Sequence, residues 1–336
     1  MTTKDISFII PVYNRPEEIK ELIESFLLLH GNKDFEIVIV EDGSTVKSDE
    51  VLKSYEDRLN ITYFFKPNSG PGDSRNYGMK HAKGSYYIIL DSDCILPKAY
   101  LTEVLKNLDE NYVDCFGGPD AAHISFSNIQ KAINFAMTSF ISTGGIRGNK
   151  NSVDVFQPRS FNMGISKTAF DATDGFGNIH PGEDPDLSIR LTKLGFKTKL
   201  IESAYVYHKR RISWTKFYKQ VNKFGLVRPI LNAWHPETKK ITYWFPSLFC
   251  FGLLFSLVMF LFDLYWPIIL YGVYFFVAFV FALIITKNLI VSLLSLFAIC
   301  IQFFGYGLGF LKSTLRLVIS RTDIEKRFPE LFFKTN

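Results

Sequence analysis

The clearest indication of the fold is the stretch Tyr86-Tyr87-Ile88-Ile89-Leu90-Asp91-Ser92-Asp93. Its first five residues have the length and apolar character of a buried strand, and two carboxylates follow closely. Open α/β sheets bind their ligands beyond the carboxyl ends of such strands. Asp91 and Asp93 can therefore both face one divalent cation, which in turn can hold a diphosphate. The stretch predicts an α/β sheet with a ligand site at this edge, although Asp-x-Asp by itself is also common in turns.

Strand and helix patterns alternate upstream of this stretch. Apolar runs at Ile6–Val12, Phe35–Val40 and Ile61–Phe65 are predicted strands. Asn14 is the predicted cap of the first helix, with Pro16 in its first turn. Alternation at such short spacing favours a mostly parallel sheet with helices on both faces.

The last third of the chain has a different composition. Between Pro246 and Leu311 only Asp263 and Lys287 carry charge, and a tract this long and apolar is typical of membrane spans. It divides into three stretches, each near the ~20 residues that one span needs, at about 243–262, 264–285 and 289–311. Length predicts three spans, whereas basic residues on both flanks favour an even number under the positive-inside rule.

A basic segment leads into this tract. Between Lys209 and Lys240 there are nine Lys or Arg residues and one acid, Glu237. Beside membrane spans, such a segment favours contact with anionic lipid and no nucleic-acid partner. One helical stripe within it is apolar: Trp214, Phe217, Val221 and Phe224. This pattern predicts a helix that lies in a membrane interface, and a surface helix packed on the domain is the alternative.

Five short motifs, in order along the chain, carry a family resemblance. They read Phe8-Ile9-Ile10-Pro11-Val12-Tyr13-Asn14-Arg15, Val38-Ile39-Val40-Glu41-Asp42-Gly43-Ser44, Asn68-Ser69-Gly70-Pro71-Gly72-Asp73-Ser74-Arg75-Asn76, Asp91-Ser92-Asp93 and Gly182-Glu183-Asp184. Together they resemble the family 2 glycosyltransferases, which have a GT-A nucleotide-diphospho-sugar transferase fold. The resemblance covers residues 5 to about 210. It departs at Glu41, where the family often has Asp, so the nucleoside role is carried over only to Asp42.

The resemblance implies a site for a nucleotide-sugar donor. Asp42 is expected to accept hydrogen bonds from the base. Arg75 is expected near the base or diphosphate, where a guanidinium fork suits planar anionic partners. Pro11 and Tyr13 are expected under the nucleotide, and Asp91 on the ribose or metal side.

The resemblance also implies a metal site and a catalytic base. Asp93, with Asp91 and His208, is expected to ligate Mg²⁺ or Mn²⁺, which offsets diphosphate charge as the leaving group forms. Asp184 is expected to be the general base, because inversion at the sugar needs one carboxylate to take the acceptor hydroxyl's proton. Glu183 is the second candidate for that role.

Three further residues and four chain segments complete the expected layout. Arg159, Asn162 and Gly164 precede the base by a short distance and are expected to line the acceptor cleft. The segments are a GT-A catalytic domain at 1–210, a basic amphipathic interfacial segment at 211–242, a transmembrane region at 243–311 and a basic cytoplasmic-type tail at 312–336.

The expected function is transfer of one sugar from a nucleotide-sugar, with UDP preferred, to a lipid-linked or glycan acceptor at the inner membrane. The catalytic domain is expected in the cytoplasm, where nucleotide-sugars are available. A processive polysaccharide synthase is a rival, but it would carry Gln-x-x-Arg-Trp where this chain has Lys209-Arg210-Arg211-Ile212-Ser213-Trp214. Two further candidates are a polyprenyl-phosphate glycosyltransferase and a non-enzymatic nucleotide-binding receptor or transporter domain.

Overall fold

A computed structural model describes residues 1–121, 126–143, 156–208, 213–319 and 322–333. The chain forms two compact units. The first comprises Met1–His123, Asp154–Lys209 and Phe332–Asn336, and the second comprises Ile124–Val153 and Arg210–Leu331. The first unit therefore differs from the predicted domain 1–210, because it lacks the segment 124–153 and includes the last five residues of the chain.

Ten strands lie in the described part of the first unit. They are β1 (Ile6–Val12), β2 (Glu36–Asp42), β3 (Asn60–Lys66), β4 (Tyr86–Leu90), β5 (Cys94–Ile95), β6 (Cys115–Gly117), β7 (Asp120–Ala121), β8 (Asn162–Ser166), β9 (Thr198–Leu200) and β10 (Val206–His208). Seven of them form one sheet in the order β3-β2-β1-β4-β8-β6-β9, and β5-β10-β7 form a smaller one. β8 runs antiparallel to both of its neighbours, and the other pairs of the large sheet are parallel. The predicted mostly parallel sheet is confirmed.

The helices surround this sheet in the first unit and make up most of the second. Those of the first unit are α1 (Pro16–Leu27), α2 (Asp49–Lys53), α3 (Pro71–His81), α4 (Tyr100–Glu110), α7 (Lys167–Thr173) and α8 (Glu183–Lys193). Those of the second unit are α5 (Asn128–Thr138), α6 (Phe140–Thr143), α9 (Trp214–Trp234), α10 (Phe245–Phe260), α11 (Trp266–Thr286), α12 (Leu289–Ile319) and α13 (Ile324–Arg327). Short 3₁₀ turns lie at Thr3–Asp5, Pro236–Thr238, Ile241–Trp244 and Pro329–Leu331.

The large sheet is buried on both faces, as its continuous apolar strands require. Phe8 and its alternate neighbours in β1 point into one core, and Ile9 points into the other. In the first core the rings of Phe26 and Phe35 meet Phe8 edge-on, with centroids 4.7 and 5.1 Å away. This packing fixes β1, β2 and β4 side by side with their carboxyl ends at one edge. Tyr13, Asp42 and Asp91 emerge there.

Three described helices of the second unit are long and apolar enough to cross a membrane. They are Ile241–Phe260, Trp266–Thr286 and Leu289–Ile319. They correspond to the three predicted stretches, but α12 continues beyond Leu311 to Ile319. The first residues of the predicted tail, including Lys312 and Arg316, are therefore helical.

Helix α9 packs closely on α12 within the second unit. Glycines permit the approach, because a Cβ at Gly225 would clash with the Tyr306 carbonyl and one at Gly305 would clash with the side chain of Val221. Phe217 and Val221 are buried in this contact. At these two positions the predicted membrane-interface stripe is covered by protein. The alternative prediction, a helix packed on other protein, therefore describes them better than a membrane interface does. The basic residues 209–211 lie outside the described residues.

Candidate active site

Asp91, Asp93 and His208 converge just beyond the carboxyl end of β4. His208 Nε2 lies 3.1 Å from Asp93 Oδ1 and 3.8 Å from Asp91 Oδ2. The arrangement follows from the small sheet, where His208 of β10 pairs with Cys94 of β5, the residue after Asp93. The ring of Phe161 stacks on the imidazole, with centroids 4.9 Å apart, and holds its plane.

Asp93 and His208 have the spacing of two ligands of one divalent cation. Two ligands that each lie about 2.1 Å from one cation at right angles are about 3 Å apart, close to the Asp93–His208 distance. Donor atoms of Asp93, Cys94 and His208 all lie within 4.8 Å of one another. Burial by itself would raise the pKa of Asp93, but the charges of His208 and Arg15 outweigh it and hold that pKa well below its usual range. Asp93 is therefore ionised and ready to ligate a cation.

Arg15 is a third partner of Asp93. Its Nη1 donates to Asp93 Oδ2 over 2.6 Å, so this carboxylate carries a guanidinium counter-ion. Partial burial opposes the charge of Arg15, but the nearby carboxylates, Asp93 foremost, outweigh it and raise the pKa of Arg15. The guanidinium stays charged at any pH at which the protein is folded.

Arg75 links the two halves of the site. Its Nη2 donates to Asp91 over 2.8 Å, and its Nη1 donates to Glu183 Oε1 over 3.0 Å. His180 Nδ1 lies 2.9 Å from the same Glu183 oxygen. Burial opposes the charge of Glu183, but His180 and Arg75 prevail and lower its pKa to about 2. Glu183 is thus held in ion pairs through Oε1, and the choice of Asp184 over Glu183 as the base stays a prediction.

Asp184 has the environment of a proton acceptor. Its Oδ1 is buried and has no hydrogen-bond partner among the residues that the structure describes. Burial raises the pKa of Asp184 and the neighbouring Glu183 charge raises it further, while Arg75 and Arg159 act in the opposite direction. A carboxylate with a raised pKa and an unused oxygen is suited to take a proton.

Asp42 binds the loop that leads into α3. Its Oδ1 accepts hydrogen bonds from Lys66 Nζ (2.8 Å) and the Ser69 amide (3.0 Å), and its Oδ2 accepts from the Gly70 amide (2.9 Å) and Asn68 Nδ2 (3.3 Å). A carboxylate offers about four such positions. The donor's base would share an oxygen with these groups, and the base-binding role of Asp42 stays a prediction.

Glu41, where the chain departs from the family pattern, has a structural role. It is buried and accepts hydrogen bonds from the Ser48 amide (2.9 Å), from Tyr63 (3.4 Å) and from the Ser44 hydroxyl. Asn14 does not cap α1 as predicted, because the N-cap position is Arg15. Asn14 has a φ of 54° and instead accepts hydrogen bonds from the amides of residues 45 and 46, on the other side of the same loop. The loop after β2 is therefore held without the usual second Asp.

Pro11 and Tyr13 lie at the end of β1. Pro11 pairs with Val40 in the sheet, and Tyr13 is 53% exposed at the edge from which Asp42 emerges. Tyr13 is thus accessible to a ligand at this edge, as predicted for a residue under the nucleotide, but no contact in the described chain tests the role.

The three expected acceptor residues lie in different surroundings. Asn162 is completely buried, accepts from the Tyr100 hydroxyl (2.6 Å) and donates to the Ala204 carbonyl (2.8 Å). Gly164 lies in β8, and a Cβ there would clash with the Phe116 ring. These contacts account for both as packing residues of the sheet. Arg159 is half-buried and acts electrostatically on Asp184.

Sequence reasoning missed the roles of Arg15, Lys66 and His180. Arg15 lies within the first motif, but nothing in that motif indicates that its partner is Asp93. Lys66 and His180 each lie shortly before a motif, Lys66 before Asn68 and His180 before Gly182. Their contacts with Asp42 and Glu183 could not be predicted, because such contacts produce no spacing pattern in a single sequence.

Comparison with known proteins identifies the class. Residues 7–171 match the family model described as glycosyl transferase family 2, so this part of the chain is a family 2 glycosyltransferase domain. The match ends before Glu183, Asp184 and His208.

Individual relatives agree with this assignment. An uncharacterized glycosyltransferase of Rickettsia felis is 43% identical over 106 residues, 32% of this chain and 17% of that protein. The poly(ribitol-phosphate) β-N-acetylglucosaminyltransferase TarS of Staphylococcus aureus is 32% identical over 111 residues, 32% of this chain and 19% of that protein. The chain thus spans less than a fifth of the length of these two relatives.

A solved structure shows the same fold. The mannosyltransferase PcManGT of Pyrobaculum calidifontis, in complex with GDP-mannose and Mn²⁺, aligns with a TM-score of 0.52 at 14% identity, over 66% of this chain and 62% of its own. The predicted GT-A fold is confirmed.

Proposed function

We propose that this protein is an inverting, metal-dependent glycosyltransferase that moves one sugar from a nucleotide-sugar to a membrane-associated acceptor. The proposal rests chiefly on the linked network from Asp91 through Arg75 to Glu183 and its neighbour Asp184. It joins Asp91, which lies beside the Asp93–His208 pair, to a carboxylate with a raised pKa within one unit of the chain.

The donor would bind at the edge formed by β1, β2 and β4. Asp93, Asp91 and His208 would hold Mg²⁺ or Mn²⁺, and the bound cation would supply positive charge to the departing diphosphate. Arg75 would hold Asp91 in place for the nucleotide. We place a UDP-sugar first among the donors to be tested.

Asp184 would take the proton of the acceptor hydroxyl as its oxygen attacks the anomeric carbon. The new carbon–oxygen bond forms on one face of the sugar while the bond to the diphosphate breaks on the other. The electron pair leaves with the nucleoside diphosphate, and the proton remains on Asp184 until solvent removes it. A single displacement of this kind inverts the anomeric centre and needs no covalent nucleophile.

The acceptor would be lipid-linked and the product a cell-surface glycan intermediate. Three helices suited to membrane spans are part of the same chain, so the protein and a lipid-anchored substrate would share one surface. Two relatives support a polymer-type acceptor by name, the teichoic acid biosynthesis protein GgaB of Bacillus subtilis and TarS. The catalytic unit would lie on the cytoplasmic side of the inner membrane, where nucleotide-sugar donors are available.

The test is a donor and acceptor screen with the full chain purified in detergent. UDP-, GDP- and dTDP-sugars are incubated with Mn²⁺ or Mg²⁺, with and without EDTA, and with a polyprenyl-linked acceptor extract. Metal-dependent release of one nucleotide with sugar added to a diphosphate-linked glycan supports the proposal. A monophosphate-linked sugar as product would indicate the polyprenyl-phosphate transferase instead, and a long polymer the processive synthase. Nucleotide binding without turnover would indicate the receptor or transporter domain.

A further inference from the structure

Arg15 pairs with the Asp93 oxygen that does not face His208. Its guanidinium lies 2.6 Å from Asp93 Oδ2, and the side chain is 29% exposed while that of Asp93 is 13% exposed. On the other side of the same carboxylate, Oδ1 meets His208 at 3.1 Å. Arg15 is therefore the solvent-side partner of the carboxylate that the proposed function assigns to the metal.

A cation ligated by Asp93 would lie close to this guanidinium. A carboxylate–metal distance of about 2.1 Å places a cation on either Asp93 oxygen roughly 5–6 Å from the Arg15 guanidinium. Like charges at such a distance weaken the binding of each other, most strongly where burial limits screening. A nucleoside diphosphate brings negative charge that offsets both positive groups.

We infer that Arg15, as the counter-ion of Asp93, couples binding of the divalent cation to binding of the nucleotide diphosphate. The inference rests on the proposed function. The cation alone binds weakly because the positive charge of Arg15 repels it, and it binds more tightly when the diphosphate is present. By reciprocity, the nucleotide also binds more tightly when the cation is present.

A purely structural ion pair makes the opposite prediction for one variant. If Arg15 only holds the loop after β1 in place, its loss loosens Asp93 and weakens the cation site. If Arg15 repels the cation, its loss strengthens binding of the cation alone. The two accounts therefore differ in sign, which allows one titration to separate them.

The experiment measures Mn²⁺ affinity by electron paramagnetic resonance and by calorimetry, on the full chain in detergent, with and without UDP. The variants are Arg15→Gln and Arg15→Lys, the latter of which keeps the charge. Arg58→Gln is the matched control, because Arg58 is exposed and lies just before β3, away from the carboxyl ends of the strands. Transfer activity is not needed for the readout.

We expect UDP to tighten Mn²⁺ binding to the native chain at least about fivefold, the lower end of ordinary coupling between sites. Arg15→Gln should bind Mn²⁺ alone more tightly than the native chain and gain less from UDP. Arg15→Lys and Arg58→Gln should behave like the native chain. Mn²⁺ binding that is equal or weaker in Arg15→Gln, or that is independent of UDP in the native chain, overturns the inference while the metal site itself stands. An absence of Mn²⁺ binding in every variant, with or without UDP, overturns both the inference and the metal-dependent function.

Discussion

Arg75 and Glu183 form a buried ion pair, with Nη1 3.0 Å from Oε1 and both side chains no more than 5% exposed. The pair joins α3 to the first residue of α8, and the same guanidinium reaches Asp91 at the end of β4. Arg75, which was predicted to lie near the donor, therefore also links α3 to α8, the helix that carries Asp184. Arg75 therefore pairs with Asp91 and, at the same time, its charge lowers the pKa of Asp184.

Replacing Arg75 should cost both stability and activity. Arg75→Ala leaves Glu183 and Asp91 without their shared cation, and breaking a buried pair in this way typically costs about 3–5 kcal/mol. Arg75→Lys keeps a charge but cannot span both carboxylates, so it should be destabilised less and still transfer sugar poorly. Thermal unfolding in detergent measures the loss. Lys80→Ala, an exposed position on the same helix, is the control, and an equal loss there would contradict a special role for Arg75.

The pH profile of transfer should report Asp184. A general base must be ionised, so activity falls as the pH drops through its pKa, and the raised pKa moves this acid limb above the usual aspartate range. Glu183→Gln removes a negative neighbour that raises the pKa of Asp184, and the acid limb should therefore move to lower pH. The measurement is kcat against pH for both proteins, with Glu50→Gln as a surface control. An acid limb that stays in place or moves upward contradicts the assignment.

Asp93→Asn should abolish metal-dependent donor binding. The amide keeps the shape of the side chain but loses the charge that attracts the cation and pairs with Arg15. Calorimetric titration with Mn²⁺ and UDP measures the effect, and EDTA should reduce the native protein to the same level. Glu36→Gln serves as the control, because Glu36 is the first residue of β2 and lies away from the carboxyl ends of the strands. Native-like Mn²⁺ binding by Asp93→Asn would remove Asp93 from the metal site.

Tyr100→Phe tests whether Asn162 packs the sheet or lines the acceptor cleft. The change removes the 2.6 Å hydrogen bond to the buried Asn162 amide oxygen, which should cost about 1–3 kcal/mol. The KM for the acceptor should not change. Tyr112→Phe, at a half-exposed ring, should leave unfolding unaffected. If Tyr100→Phe raised the KM for the acceptor and left stability unchanged, the prediction that Asn162 lines the acceptor cleft would be favoured instead.

Much of the fold follows from sequence because it depends on local patterns. The run Tyr86–Leu90 is a strand, α1 begins at Pro16, and the three apolar stretches are helices of spanning length. The carboxyl ends of parallel strands meet at one edge, so the order of the motifs was enough to bring Asp42 and Asp91 to it.

The remainder depends on contacts between distant residues. The segment 124–153 belongs with the second unit because Ile133 and Phe135 of α5 pack among its helices, and an apolar helical stripe does not say which core it joins. The packing role of Asn162 could not be predicted for a similar reason. A sequence does not show whether a polar side chain faces a ligand or a buried hydroxyl such as that of Tyr100. The ion pair from Arg15 to Asp93 spans 78 positions and has no local signature.

The Asp184→Asn variant gives the sharpest test of the proposed mechanism, when donor binding and sugar transfer are assayed on the same detergent-purified full chain. The amide preserves the shape of the side chain but cannot take a proton, so metal-dependent nucleotide binding should stay native. Transfer should fall by roughly 10²–10⁴, the usual contribution of a general base. Native-rate transfer by Asp184→Asn would contradict the proposed mechanism.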